Sequence, residues 1–296
     1  MSTTSRRMRP STGSGSGPLN LASPRRAAAS LARNLALALI GLCFVVPLAW
    51  LVLASIDTDP SQRTEVPEGF TLDHYAAVLT PEGTLLPLWN STLLSTGTAI
   101  ITVLVAVLAA YPLSRYQSRF NKPYLYAILF GTCLPITAIM VPVYSLFVRL
   151  GYLDNLAAVT FFMAATSLPM AIWMMKNFMD SVPVSLEEAA WVDGASAMGT
   201  LRRIVVPLMR PGIAVVFIFV FIQAWGNFFV PFILLLSPAK QPASVSIYSF
   251  FGQYGTVAYG ELAAFSLLYS LPVIALYVLV SRGIGGSFAL QGAVKG

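Results

Sequence analysis

The sequence predicts an all-α membrane protein of six transmembrane helices with both termini in the cytosol. Three observations carry this. First, 56% of the chain is hydrophobic and only 10% charged, with a mean hydropathy of +0.73. A soluble domain carries about 25% charged residues, so there is too little charge here to clothe a water-exposed surface, and lipid has to be the solvent for much of the chain. Second, six uncharged segments, 35–55, 91–113, 123–148, 155–175, 211–239 and 262–281, each run about 20 residues or more. At 1.5 Å per residue such a helix rises roughly 30 Å, the depth of the hydrocarbon layer. Third, lysine and arginine collect on alternate connections.

Residues 1–33 are rich in Ser, Gly, Pro and Ala and hold six arginines without an acid, the composition of a disordered cytosolic tail. Basic residues before an apolar run also fit a signal peptide. The run is long and no small-residue cleavage site follows it, so 34–56 reads as an uncleaved first span. The external loop 57–88 carries Asp57, Asp59, Glu65, Glu68, Asp73 and Glu82; its single histidine, His74, reads as a solvated loop residue. Every span holds proline: Pro47, Pro112, Pro135 with Pro142, Pro169, Pro231 and Pro272. Membrane helices accommodate these through neighbouring groups. Cys43 and Cys133 lie in apolar runs without metal-ligand spacing and read as small hydrophobic helix residues.

The tail, Arg115, Arg119 and Lys122 after the second span, Lys176, Arg202, Arg203 and Arg210 after the fourth, and Arg282 and Lys295 at the end all fall on one side. Only Arg63, Arg149 and Lys240 fall on the other. The positive-inside rule makes the basic side cytosolic. The net charge of +6 is thus a matter of topology rather than of a nucleic-acid surface. No span carries an interior charge, and Glu261 sits only at the external mouth of the last one. A charged residue at mid-bilayer costs about 2.5–3.5 kcal/mol on insertion scales and persists for function. A chain without one lacks the obvious means to couple transport to an ion gradient, so its energy comes from elsewhere.

The polar stretch 176–210 holds the informative pattern. Pro183 opens it, and Ser185 three residues before Glu188 predicts a capping box. Leu186, Ala189, Ala190 and Asp193 then share a helical face, Gly194 breaks the helix, and a second short helix carries Leu201, Ile204, Val205 and Leu208 on one stripe up to Pro207 and Pro211. Two short helices around a glycine elbow, with small alanines, suit docking into a groove on another protein.

Glu188-Ala189-Ala190, three residues, Gly194, nine residues, Ile204, one residue and Val206-Pro207 resembles the EAA loop of binding-protein-dependent ABC importers, with Val206 where Leu is usual. Asn90-Ser91, Ala109-Ala110-Tyr111, Leu113-Ser114-Arg115 and the C-terminal Gly292-Ala293-Val294-Lys295-Gly296 are similar to the sugar-importer branch of the maltose-permease type. Trp225-Gly226-Asn227 departs from that branch, which often has an acid after Trp-Asn. The resemblance implies a type I importer fold. On it, 89–282 is the transmembrane domain with coupling loop 181–210, and 283–296 is a cytosolic tail. It also implies partners: a second permease subunit, two copies of a cytosolic ATPase and an extracytoplasmic solute-binding protein. ATP is then hydrolysed by the ATPase, and this chain binds no cofactor or metal. Coupling falls to Glu188, Ala189, Ala190, Asp193, Gly194, Ile204 and Pro207, with Glu188 meeting a basic residue of the ATPase.

An enzyme is the poorer reading. Gly194 to Gly199 has phosphate-loop spacing, but Thr200 and Leu201 stand where lysine and a hydroxyl residue are needed. A self-sufficient carrier competes with the importer reading, and so does an importer of peptides or polyamines. Trp173, Gln223, Trp225, Asn227 and Tyr269 put aromatic faces and amides into the spans, the chemistry that stacks on and hydrogen-bonds sugars, and are the candidate pathway residues.

Overall fold

The computed structural model describes residues 24–61, 67, 69–116, 118–252 and 257–293, with side chains for those from 30 to 282. The chain divides into two units, Met1–Ala49 and Trp50–Gly296. In the first, the described residues belong to α1 (Pro24–Ala54), whose Leu35, Leu39, Phe44 and Leu48 are exposed. Its stretch Ser30–Ala54 is long and apolar enough to cross a membrane. Of the expected disordered tail, 1–23 lie outside the described residues. Residues 24–33 are helical instead, because Ala27, Ala28, Ala29, Leu31, Ala32 and Arg33 are good helix formers running straight into the span.

The second unit holds α2 (Asp73–Val78), α3 (Leu86–Arg115), α4 (Asn121–Gly131), α5 (Ile136–Leu150), α6 (Leu156–Asp180), α7 (Val184–Val192), α8 (Ala197–Thr200) and α9 (Val206–Leu208). It continues with α10 (Arg210–Trp225), α11 (Phe229–Leu234), α12 (Ala243–Ser246) and α13 (Tyr259–Ala293). Pro81–Arg115, Leu156–Asp180 and Tyr259–Arg282 are continuous enough to cross a membrane. The expected third span is broken: α4 and α5 meet at 84° across 132–135, where Pro135 is extended and Cys133 lies in the bend rather than in a helix. The expected fifth span is broken too. α10 stops at Gly226 and α11 begins at Phe229, while α8–α9 meet α10 at 78°. The second span starts earlier than 91, since Pro81–Leu85 forms a wide helical turn leading into α3, capped by Thr80 Oγ1 accepting from Gly83 N (3.0 Å).

α3 is the central helix, packed most extensively on α6 and then on α10. In lipid no hydrophobic force joins two helices, so small side chains and interhelical hydrogen bonds must. Ala99, Ala106 and Ala110 are fully buried along α3. Thr98 and Thr102 donate to the carbonyls of Thr160 and Ala164 on α6 (3.5 and 3.3 Å). Gly97 permits the approach, since a Cβ there would lie 2.8 Å from the Thr160 methyl. Met175, Met179, Val205, Val216 and Val220 complete the core around this seam.

At one end the loops are stapled. Asp154, with φ +57°, accepts through Oδ1 from Leu236 N and Ser237 N (3.0 Å each) and through Oδ2 from Ser237 Oγ (2.5 Å) and Lys240 Nζ (3.0 Å). Partial burial raises its carboxyl pKa, but the bonds from Ser237 and Lys240 outweigh burial and hold it down at about 2. Asn90 Nδ2 donates to Ala239 O (2.9 Å), and Ser91 Oγ accepts from Ala243 N (2.8 Å), fixing the same segment to α3. His74 is not the solvated residue expected. It is half-buried against Gly260, with Nε2 2.8 Å from Asp57 O.

Candidate functional site

The connection from α6 to α10 bends twice. α7 starts at Val184 behind Pro183, whose φ of −58° suits a helix boundary. The helix therefore begins one residue before Ser185, and the expected capping box does not form: no side chain caps this end. α7 ends in a Schellman motif, with Gly194 N donating to Trp191 O (3.0 Å) and Ala195 N to Ala190 O (2.9 Å). Gly194 takes φ +82°, a region in which a Cβ is strained, so the elbow falls at the glycine that the sequence marks. Ser196 Oγ then caps α8 through Gly199 N (3.2 Å).

Beyond α8 the expected stripe is partly wrong. Leu201, Val205 and Met209 are buried, Ile204 is half-buried, and Leu208 is 51% exposed. Leu201–Val205 is a wider helical turn with one residue more per turn, which shifts the inward register to every fourth position.

The elbow turns two faces. Outward stand Glu188, Ala189 and Asp193 together with Val184, Leu186, Trp191, Met198 and Val192, the last 88% exposed, while Ala190, Ile204 and Pro207 are half-buried. Inward stands Glu187, a carboxylate with no exposed surface. It accepts from Arg115 Nε (2.5 Å) and Tyr111 Oη (2.9 Å), and Arg115 also donates to Val182 O (3.2 Å) and Ser114 Oγ (3.1 Å). Ser114 Oγ donates on to Asp180 (2.6 Å), which Lys176 meets at 2.5 Å. Sequence reasoning missed this cluster. The available signal was the four-residue spacing of Tyr111 and Arg115, which puts a phenol and a guanidinium on one face at the end of a span.

The candidate pathway residues separate into three places. Gln223 is exposed to a cavity of about 280 Å³ with Thr132, Thr166 and Ser167. Asn227 lines an adjoining one of about 520 Å³ that shares Thr132 and Thr166. Asn227 also serves the backbone: its Oδ1 accepts from Val230 N (3.1 Å) and its carbonyl from Ser244 Oγ (3.0 Å). Trp225 is 3% exposed, stacked between Phe221 (5.5 Å) and Tyr269 (5.4 Å), and Tyr269 Oη donates to Trp225 O (2.7 Å). Trp173 lies apart, beside a polar cavity of about 590 Å³ lined by Lys122, Lys176, Asn177 and Asp180. Among the described residues no three His, Cys, Asp or Glu side chains gather as a metal site.

Comparison with known proteins agrees with this architecture. Residues 102–286 match the family described as binding-protein-dependent transport system inner membrane component. An ABC transporter permease protein of Streptomyces antibioticus is 36% identical over 206 residues, covering 70% of this chain and 89% of that one. The glucose import system permease protein GlcU of Saccharolobus solfataricus is 29% identical over 88% of this chain and 94% of its own. Among solved structures, a bacterial ABC transporter involved in the import of the acidic polysaccharide alginate superimposes with a TM-score of 0.75 at 21% identity, covering 88% of this chain and 98% of that one. The chain belongs to the binding-protein-dependent transport system inner membrane components and is a multi-pass permease subunit of an ABC importer, a membrane component whose ATPase is a separate chain.

Proposed function

We propose that this permease forms half of the conduit of a sugar or oligosaccharide importer and is driven through the α7–Gly194–α8 elbow. The observation that carries this is the uncovered outward face of the elbow. Val192 and Met198 stand open to solvent on short helices unsuited to crossing a bilayer, beside the acid Glu188. Apolar surface of this kind marks a protein contact. The occupant is a cytosolic ATPase, two copies of which serve this chain and a second permease subunit. Closure of the ATPase on ATP moves the elbow and switches the conduit between inward and outward access. This chain binds no nucleotide, and an extracytoplasmic binding protein delivers the solute. Sugar as cargo is supported by the glucose import relative and by the amides of Gln223 and Asn227, which line adjoining cavities that share the hydroxyl residues Thr132 and Thr166. Ile204 and Pro207 anchor the elbow, Ala189 and Ala190 allow close packing, and Asp193 closes α7 before Gly194.

The test is purification of the complex from native membranes with Glu188→Lys beside wild type. We expect the wild-type chain to bring down an ATPase and a second permease. The variant should insert normally and retain at least tenfold less ATPase. Equal ATPase content in both would refute the docking role.

A further inference from the structure

Glu187 is the one carboxylate on α7 that the docking face does not use, and its place is unusual. It has no exposed surface, and its Arg115 partner is 4% exposed at the side chain. Burying such a pair is costly, and each partner needs its remaining hydrogen-bonding capacity satisfied. Here that requirement is met: Glu187 has two donors, while Arg115 spreads its fork over Glu187, Val182 O and Ser114 Oγ. The three elements so joined are the end of α3, the end of α6 and the inward side of α7. α3 in turn packs on α10, which carries Gln223.

We propose that Glu187, Arg115 and Tyr111 are positioning residues that clamp α7 to α3, so that displacement of the elbow is delivered to the conduit helices as rigid movement. Glu188 and Glu187 then divide the work: the first faces the motor, the second faces the load. Apolar packing alone would let α7 roll, since its buried surface is small and Glu187 is its one buried residue. A bidentate-capable guanidinium held by three acceptors fixes both distance and rotation. The inference rests on the transporter reading above.

The experiment uses the whole complex, with native ATPase, partner permease and binding protein, in liposomes, and measures solute uptake and ATP hydrolysis together. Glu187→Gln keeps shape and removes the charge. Arg115→Lys keeps charge but loses the fork. Tyr111→Phe removes one hydrogen bond. For Glu187→Gln and Arg115→Lys we expect ATPase content unchanged, hydrolysis within about twofold of wild type and uptake at least tenfold lower. For Tyr111→Phe the same imbalance should appear at about threefold. A residue that only stabilises the fold would lower uptake and hydrolysis in step, and that result overturns the clamp, as does wild-type behaviour in all three. Loss of all three variants from the membrane also overturns it, since the most conservative of them removes a single hydroxyl. If instead the wild-type complex shows no solute-stimulated hydrolysis, the importer reading itself fails.

Discussion

Asp154 shows how a single side chain does the work of a disulfide in a loop. Its two oxygens take four donors from 236–240, and its own backbone occupies the left-handed region to aim them. Because its pKa falls from 3.8 in the free residue to about 2 here, the stabilisation is complete above 3.8 and is lost as pH falls through that interval. We expect amide protection at Leu236 and Ser237, corrected for intrinsic exchange, to be flat from neutral pH down to about 5 and to collapse toward pH 2. Asp154→Asn should lower protection at neutral pH by about 1–3 kcal/mol and remove its acid dependence. A pH-independent loop in the native chain would contradict this. The sequence carries no hint of the staple, because its partners lie more than 80 positions away. Glu187 escaped notice for a related reason: buried and exposed glutamates look alike until the helix start is known, and the cap moved by two residues, from Ser185 to Pro183.

At the scale of elements, the α3–α6 seam decides stability. Gly97 opposes Thr160, so Gly97→Val would force α3 and α6 apart where the Thr98 hydroxyl now donates to the Thr160 carbonyl. Replacing glycine in a helix gains up to about 1 kcal/mol of propensity, whereas overpacking costs about 1–3 kcal/mol. The clash should prevail, lowering the thermal midpoint of the chain purified in detergent; an unshifted or raised midpoint would count against the seam. Hydropathy located the long spans well, because length and apolarity alone define them. It did not locate the breaks at 132–135 and 226–228. Those depend on which prolines and glycines find compensating partners in neighbouring helices, and composition does not encode that. The elbow was legible down to Gly194, whereas the register beyond it was not, since one wide turn shifts every later side chain.

For the whole molecule, the charge asymmetry makes a topological statement that labelling can check. The Asp154 staple and the elbow should lie on opposite sides of the membrane, the staple outside. In a chain with Cys43 and Cys133 replaced, Ala239→Cys should react with an impermeant thiol reagent in intact cells, and Ser185→Cys only after permeabilisation. Both positions are exposed, so access rather than burial decides the outcome. The reverse pattern would overturn the orientation and, with it, the meeting of the elbow with a cytosolic ATPase.

α10 has 16 residues and so rises only about 24 Å, short of the bilayer's apolar depth. Beyond it the chain bends at 226–228, where the Asn227 amide oxygen accepts from Val230 N and so satisfies a backbone donor at the start of α11. That commitment has a stereochemical corollary. On the proposed pathway, Asn227 would meet a passing molecule through its –NH2 and through the second lone pair of its oxygen. A polyol, with lone pairs and hydroxyl protons on the same oxygens, would match both.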